Sequence, residues 1–177
     1  MTGPAPLCLH ATCLQLSSGL RTLGILLRGQ PGSGKSALAL SLLDQPGSGL
    51  ASDSPPVTAQ LVSDDQVVLS NAGGKLLAKS PGAIAGLLEV RGLGILEVHA
   101  IAQDAVIGLV IDHAPATSLP RLPELSRMDL CGITLPHHHI DFGMPDAPAR
   151  VRLLARLVWG DVRMLSESLP QDLAVRR

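Results

Sequence analysis

Eight residues near the N-terminus constrain this chain more than any other part of it. Gly29-Gln30-Pro31-Gly32-Ser33-Gly34-Lys35-Ser36 has the spacing Gly-x4-Gly-Lys-Ser. In such a loop the glycines let the backbone curl so that several N–H groups face one anion, and a helix starting near the lysine adds its positive end. The loop needs a strand leading in and a helix leading out. Leu23–Arg28 is a short aliphatic run before it, and Ser36–Leu43 behind it is rich in Ala and Leu, which suits a helix. Lys35, one of only three lysines, is placed to meet β- and γ-phosphates, and the Ser36 hydroxyl falls where Mg²⁺ is held. The sequence therefore implies a site for a nucleoside triphosphate, with ATP and Mg²⁺ as the expected ligands.

The rest of the composition narrows what surrounds that site. The 177 residues are 46% hydrophobic and 16% charged, which fits one folded domain over residues 1–177. A net charge of −1 gives no basic excess for nucleic acid. Phe142 and Trp159 are the only aromatic residues of the Phe/Trp/Tyr class, too few for a base-stacking platform. The core must be aliphatic. Cys8, Cys13 and Cys131 are odd in number and form no Cys-x-x-Cys pair, as expected in a reducing compartment. No apolar run approaches the ~18 residues of a membrane span, and no basic stretch followed by an apolar one marks export. A cytoplasmic protein without membrane or nucleic-acid partners is expected.

Along the chain, Asp44–Pro56 is loaded with Gly, Pro, Ser and Asp and reads as an exposed loop. Gln60–Ser63, Val67–Leu69, Leu87–Arg91, Ile95–Val98 and Ala105–Ile111 read as strands, and Ile133–Leu135 as a weaker one. Ala149–Leu165 reads as a helix with Val151, Leu154, Val158, Val162 and Leu165 on one stripe. Arg152 and Arg156 fall on its other side and, with Arg150, read as a solvated face or a docking surface. Trp159 reads as packing. The fold class is α/β, a mixed sheet with the loop helix and a C-terminal helix over about 147–166, the core lying at about 8–140.

A triphosphate loop usually works with a hydrophobic strand ending in an acid. Leu61-Val62-Ser63-Asp64-Asp65 has two. Adjacent strand residues face opposite ways, so one carboxylate would lie beside the metal and the other face an acceptor hydroxyl; a solvated acidic turn is the plainer alternative. Glu89 and Arg91, ahead of Gly92-Leu93-Gly94, form either a metal-binding carboxylate and a transition-state cation or an ordinary surface pair. His137-His138-His139 suggests a metal, but three consecutive strand residues cannot converge on one ion, and Cys131 adds no familiar ligand spacing. A polar strand or substrate-facing patch is the preferred reading.

Leu9-His10-Ala11-Thr12, the phosphate loop, the Asp64-Asp65 strand and Leu88-Glu89-Val90-Arg91-Gly92-Leu93-Gly94-Ile95 occur in that order. Together they resemble the catalytic domain of the bacterial HPr kinase/phosphorylase family over about residues 8–140. The resemblance implies a P-loop serine kinase acting on the phosphocarrier protein HPr, and it hints at a homo-oligomer. It makes Asp65 the base toward the acceptor serine, Lys35 the phosphate clamp, Ser36 and Glu89 Mg²⁺ ligands, and His10 a neighbour of the acidic pair. Asp64 and Arg91 fall in the catalytic stretches, and Arg121 falls where the family has a catalytic arginine, though Pro120 precedes it.

Several segments depart from that pattern. The loop carries Gln30-Pro31 and Ala37 where the family has other residues, and the chain begins almost at His10, as a short form without the N-terminal domain would. The Gly-Arg-Asn segment tied to the phosphorylase reaction is replaced by Asp141–Arg150. Kinase activity without phosphorylase activity is expected. An ATP-binding sensor without transfer and a small-molecule kinase are the alternatives.

Overall fold

The computed structural model describes residues 5–51, 53–121 and 126–163. Among them are ten strands and two α-helices: β1 (Leu7–Ser18), β2 (Arg21–Arg28), α1 (Lys35–Asp44), β3 (Thr58–Ser63), β4 (Gln66–Ala72), β5 (Lys75–Lys79), β6 (Leu87–Val90), β7 (Gly94–Glu97), β8 (Asp104–His113), β9 (Ser126–Leu130), β10 (Ile133–Ile140) and α2 (Ala147–Trp159). The mixed α/β reading holds. Strands β1, β5 and β9 are additions to the sequence reading, and Ile133–Leu135 is only the start of β10.

β1 organises the sheet. Its residues Leu7–His10 pair antiparallel with β4, while Ala11–Ser18 pair with β2 and Cys13–Ser17 with β3. β2 continues into β8 in parallel, β8 into β5, and β5 into β4, so five strands close a circuit of pairings back to β1. β10 extends β8 in parallel and β9 closes that side, whereas β6 and β7 form a separate hairpin. Gly24 makes the β2–β8 contact feasible, because a Cβ there would stand 2.5 Å from the Val106 carbonyl oxygen.

Strand alternation sorts the aliphatic residues into two cores. Leu14, Leu16, Ile25, Leu27, Leu109 and Ile111 face α1 and α2, meeting Leu38, Ala39 and Leu42 on one helix and Val151, Ala155 and Val158 on the other. Ala11, Cys13, Leu26, Val67, Leu69, Ile107 and Val110 fill the other face, within the closed circuit. Burial pushes the Cys13 thiol far up from its ordinary pKa, so it acts as a small apolar group.

The C-terminal helix corrects two expectations. It stops at Trp159, where Gly160 takes φ 78° and the N–H groups of Gly160 and Asp161 bond back to the carbonyls of Leu157 and Arg156, a left-handed helix stop. Val162 therefore lies beyond the helix, and Leu165 lies outside the described residues. Val151 and Val158 are buried as expected, and Trp159 packs beside them. Arg152 and Arg156, however, are not a solvated face. Arg156 is 0% exposed. Its Nε donates to the Ser48 carbonyl at 2.9 Å, Nη1 to Ser18 Oγ at 2.9 Å and to Asp161 Oδ2 at 2.8 Å, and Nη2 to the Pro55 carbonyl. Arg152 donates to the Gln45 carbonyl. The Gly/Pro-rich segment after α1 thus turns its carbonyls toward α2. Arg150 alone of the three stays exposed, paired with Asp146 one turn earlier.

Candidate active site

β2 delivers the chain to Gly29, and α1 begins at Lys35. Between them Gly32 and Gly34 take φ 81° and 94°, left-handed values open to glycine at little cost. Lys35 Nζ folds back onto the loop and donates to the carbonyls of Gly29 and Gln30 at 2.9 and 3.1 Å. Burial lowers its pKa, against the opposing charges of Asp64 and Asp65. The first N–H groups of α1 have no partner within the helix. Ser33 Oγ is buried in the loop without a hydrogen-bond partner. A curled backbone, free helix-start amides and an orphaned hydroxyl fit an anion such as a phosphate.

The acidic pair is placed by β1 from both sides. Ser63, at the end of β3, pairs with Cys13, and Gln66, at the start of β4, pairs with His10. Asp64 and Asp65 occupy the turn between. They diverge, as expected, but not because they alternate on a strand: β3 ends at Ser63, and Asp65 takes φ 68° in the turn. Asp64 points inward, where Oδ1 accepts from Thr12 Oγ1 at 2.6 Å and from Ser36 Oγ at 3.1 Å, and Oδ2 accepts from the Glu89 N–H at 3.4 Å. Asp65 points outward, its side chain 66% exposed, with Oδ1 2.9 Å from His10 Nδ1. One carboxylate is wired to the loop serine; the other is available to a solute.

The β6–β7 hairpin completes the enclosure. His10, Lys35, Ser36, Asp64, Asp65, Glu89 and Arg91 line one cavity of about 520 Å³, together with Pro31, Gly32 and Gly34 of the loop. Arg91 reaches the loop itself: a Cβ on Gly32 would lie 3.8 Å from its Nη2. Hydroxyl and carboxylate oxygens from Ser36, Asp64 and Glu89 make a hard-oxygen set of the kind Mg²⁺ takes. Arg121 is not brought there. It lines a second cavity of about 500 Å³ with Ser126, His137, His138, His139 and Arg150.

Sequence reasoning missed two sets of residues. Thr12 holds Asp64, and period-two spacing from His10 would have marked it had β1 been recognised as a strand. Arg28, Asp112 and His137 form a half-buried polar chain. Arg28 Nε and Nη2 each donate to Asp112 at 2.7 Å, and His137 Nε2 lies 3.0 Å from Asp112 Oδ2. Burial works against the Asp112 charge, but Arg28 and then His137 outweigh it and hold the carboxyl below its usual pKa.

Comparison with known proteins identifies the family of this chain. The family model described as HPr serine kinase C-terminal domain matches residues 7–112. An HPr kinase/phosphorylase of Clostridium beijerinckii is 34% identical over 109 residues, 58% of this chain and 31% of that protein. The HPr kinase/phosphorylase of Malacoplasma penetrans is 26% identical over 143 residues, 75% of this chain and 42% of that protein. The chain thus spans well under half the length of these relatives. In three dimensions it is similar to the HPr(Ser) kinase/phosphatase of Coxiella burnetii, with TM-score 0.67 and 24% identity over 85% of this chain and 95% of that one. With the family model matching more than half of its length, on the segment that carries the loop, the acid pair and the hairpin, this chain belongs to the HPr serine kinase C-terminal domain family.

Proposed function

We propose that this single domain is an ATP- and Mg²⁺-dependent serine kinase of an HPr-like phosphocarrier protein, working in the cytoplasm. The observation that carries the reading is the shared cavity, which puts an anion-binding loop, an outward carboxylate and an arginine around one space. When bound at Ser36, Asp64 and Glu89, Mg²⁺ would draw negative charge from the phosphate oxygens. Lys35 leaves its loop carbonyls to meet the β/γ-phosphates, and Arg91 balances charge on the transferring group. Asp65 accepts the proton of the acceptor serine as its oxygen attacks the γ-phosphorus and the bond to the departing nucleoside diphosphate breaks. His10 orients that carboxylate, and Thr12 fixes Asp64 toward the loop.

A protein acceptor is favoured over a small molecule by the outer side of the hairpin. Leu93 and Ile95 are 75% and 70% exposed on the element that also supplies Glu89 and Arg91, so an apolar surface adjoins the chemistry. Forward transfer without phosphorylase activity is supported by the Asp141–Arg150 segment, which is occupied in structural work. Asp141 accepts from the N–H groups of Ala116 and Gly143 at 2.8 and 3.0 Å, and Phe142 packs beside Gly34. The test is incubation with labelled ATP·Mg²⁺ and HPr, followed by mapping of the modified residue. Label on one HPr serine is expected; normal ATP binding with no label on protein would favour the sensor.

A further inference from the structure

The three histidines of β10 do not act together, but alternate ones do. His137 and His139 lie on the same face of the strand, their ring centroids 4.6 Å apart, while His138 faces away. Parallel pairing sets His139 opposite Asp112 of β8. One donor atom from each of Asp112, His137 and His139 lies within 4.8 Å of the others. His137 is buried, Asp112 half-buried and His139 exposed.

The hydrogen bonds around His137 leave room for a cation in one of its two tautomers. The Ser126 hydroxyl has one proton and stands 2.9 Å from both the His137 carbonyl and His137 Nδ1. If it donates to the carbonyl, Nδ1–H must donate to Ser126 Oγ. The remaining lone pair of a neutral His137 is then on Nε2, aimed at Asp112 Oδ2 from 3.0 Å. The tautomer with Nδ1–H toward Ser126 turns the Nε2 and Oδ2 lone pairs toward each other, the arrangement in which both can hold one cation; the other tautomer donates Nε2–H to Asp112 instead. At metal–ligand bonds of about 2.1 Å, that separation subtends roughly 90–95° at the ion, an angle metal sites accept. The outer contacts have the usual form as well. A ligating imidazole donates its second N–H to a fixed acceptor, here Ser126, and a ligating carboxylate is itself hydrogen-bonded, here by Arg28.

We propose that Asp112, His137 and His139 form a binding site for a first-row transition-metal dication such as Zn²⁺, with solvent completing the coordination. Two imidazoles and one carboxylate favour such an ion over Mg²⁺ or Ca²⁺. The site joins the C-terminal ends of two parallel strands. Asp112 and His139 also line a cavity of about 400 Å³ with His10, Arg28 and Gly29, the first residue of the phosphate loop. Nothing in the assignment depends on the kinase reading.

The test is titration of the purified chain with ZnCl₂ by calorimetry, and with Co²⁺ by absorption spectroscopy. The expected result is one ion per chain, a visible Co²⁺ band without the ultraviolet charge transfer that Cys8 or Cys131 ligation would give, and a rise in Tm with Zn²⁺. His139→Ala, an exposed substitution, should weaken binding at least tenfold and abolish the Tm rise. His138→Ala should bind as wild type. If His137→Asn unfolds, His139→Ala still decides. Absence of stoichiometric binding, thiolate charge transfer, or equal affinity in His139→Ala would each overturn the assignment and leave His137 as a hydrogen-bond partner of Asp112 alone.

Discussion

Arg156→Met should destabilise the protein by about 2–4 kcal/mol, and the estimate follows from what the change leaves behind. The guanidinium donates to two carbonyls, one hydroxyl and one carboxylate. Hydrogen bonds to charged groups contribute about 1.5–3 kcal/mol each, but not additively. All four partners keep another contact. Asp161 remains bidentate with Arg21 at 2.6 and 2.8 Å, and Ser18 Oγ still donates to the Pro55 carbonyl at 2.7 Å. The Ser48 carbonyl keeps the Ala51 N–H at 3.3 Å, longer than the 2.9 Å bond it loses. Because no charge is stranded, the loss is centred below the ~3–5 kcal/mol typical of halving a buried ion pair. For a domain of this size each kcal/mol shifts Tm by about 2–4 °C, so urea and thermal unfolding should show a drop of roughly 4–16 °C. Amide exchange at Gly47 and Val57, which bond to each other across the pinned loop, should quicken. Arg150→Met, on the exposed i,i+4 pair, should change stability by under ~0.5 kcal/mol. Equal stability of the two variants would refute the clamp.

Lys35→Ala should keep the fold and weaken ATP·Mg²⁺ turnover by about 10²-fold or more, checked by calorimetry alongside a transfer assay. Asp65→Asn should retain ATP binding but lose about 10²–10⁴-fold in transfer, whereas Asp64→Asn should shift the Mg²⁺ dependence; both are read by varying acceptor and metal separately. Phospho-HPr should be dephosphorylated by inorganic phosphate far more slowly than it is formed, which a coupled assay in the reverse direction measures. Arg21, followed by Arg156, holds the Asp161 carboxyl below its usual pKa despite burial. Its contribution is therefore complete above the ordinary aspartate range near ~4 and lost as pH falls through the depressed value; Asp161→Asn should flatten that part of an acid-unfolding curve.

The candidate site was legible in the sequence where chemistry and local order coincide. The phosphate loop needs its own strand and helix next to it in the chain, so Leu23–Arg28 and Ser36–Leu43 announced themselves. The acid pair and the hairpin each sit within a few consecutive residues. β1 was hidden because its first half is mostly exposed, its second half largely buried on both faces, and the two halves pair with different strands, so no simple alternation runs through Leu7–Ser18. Lys75–Lys79 and Ser126–Leu130 are too short for a period to show. The α2 arginines misled for a different reason: a helix stripe tells which side is apolar, not whether distant carbonyls will meet the other side. Arg156 and Ser48 are 108 residues apart, and Arg28 and Asp112 are 84 apart. Such pairs exist only once the topology is known.

The placement of both acids by one strand has an evolutionary cost. His10 and Thr12 are two residues apart on β1, and each holds one member of the Asp64–Asp65 turn. A single-residue insertion or deletion between them could not be absorbed at one acid and tolerated at the other. It would put His10 and Thr12 on opposite faces of β1, so that with one acid held the other would meet an apolar neighbour. Length variation should therefore be forbidden across residues 10–12 and permitted in the 44–56 segment, where extra chain only lengthens a loop. In a library of random single-codon insertions, fold and transfer should disappear together at β1 and separate elsewhere.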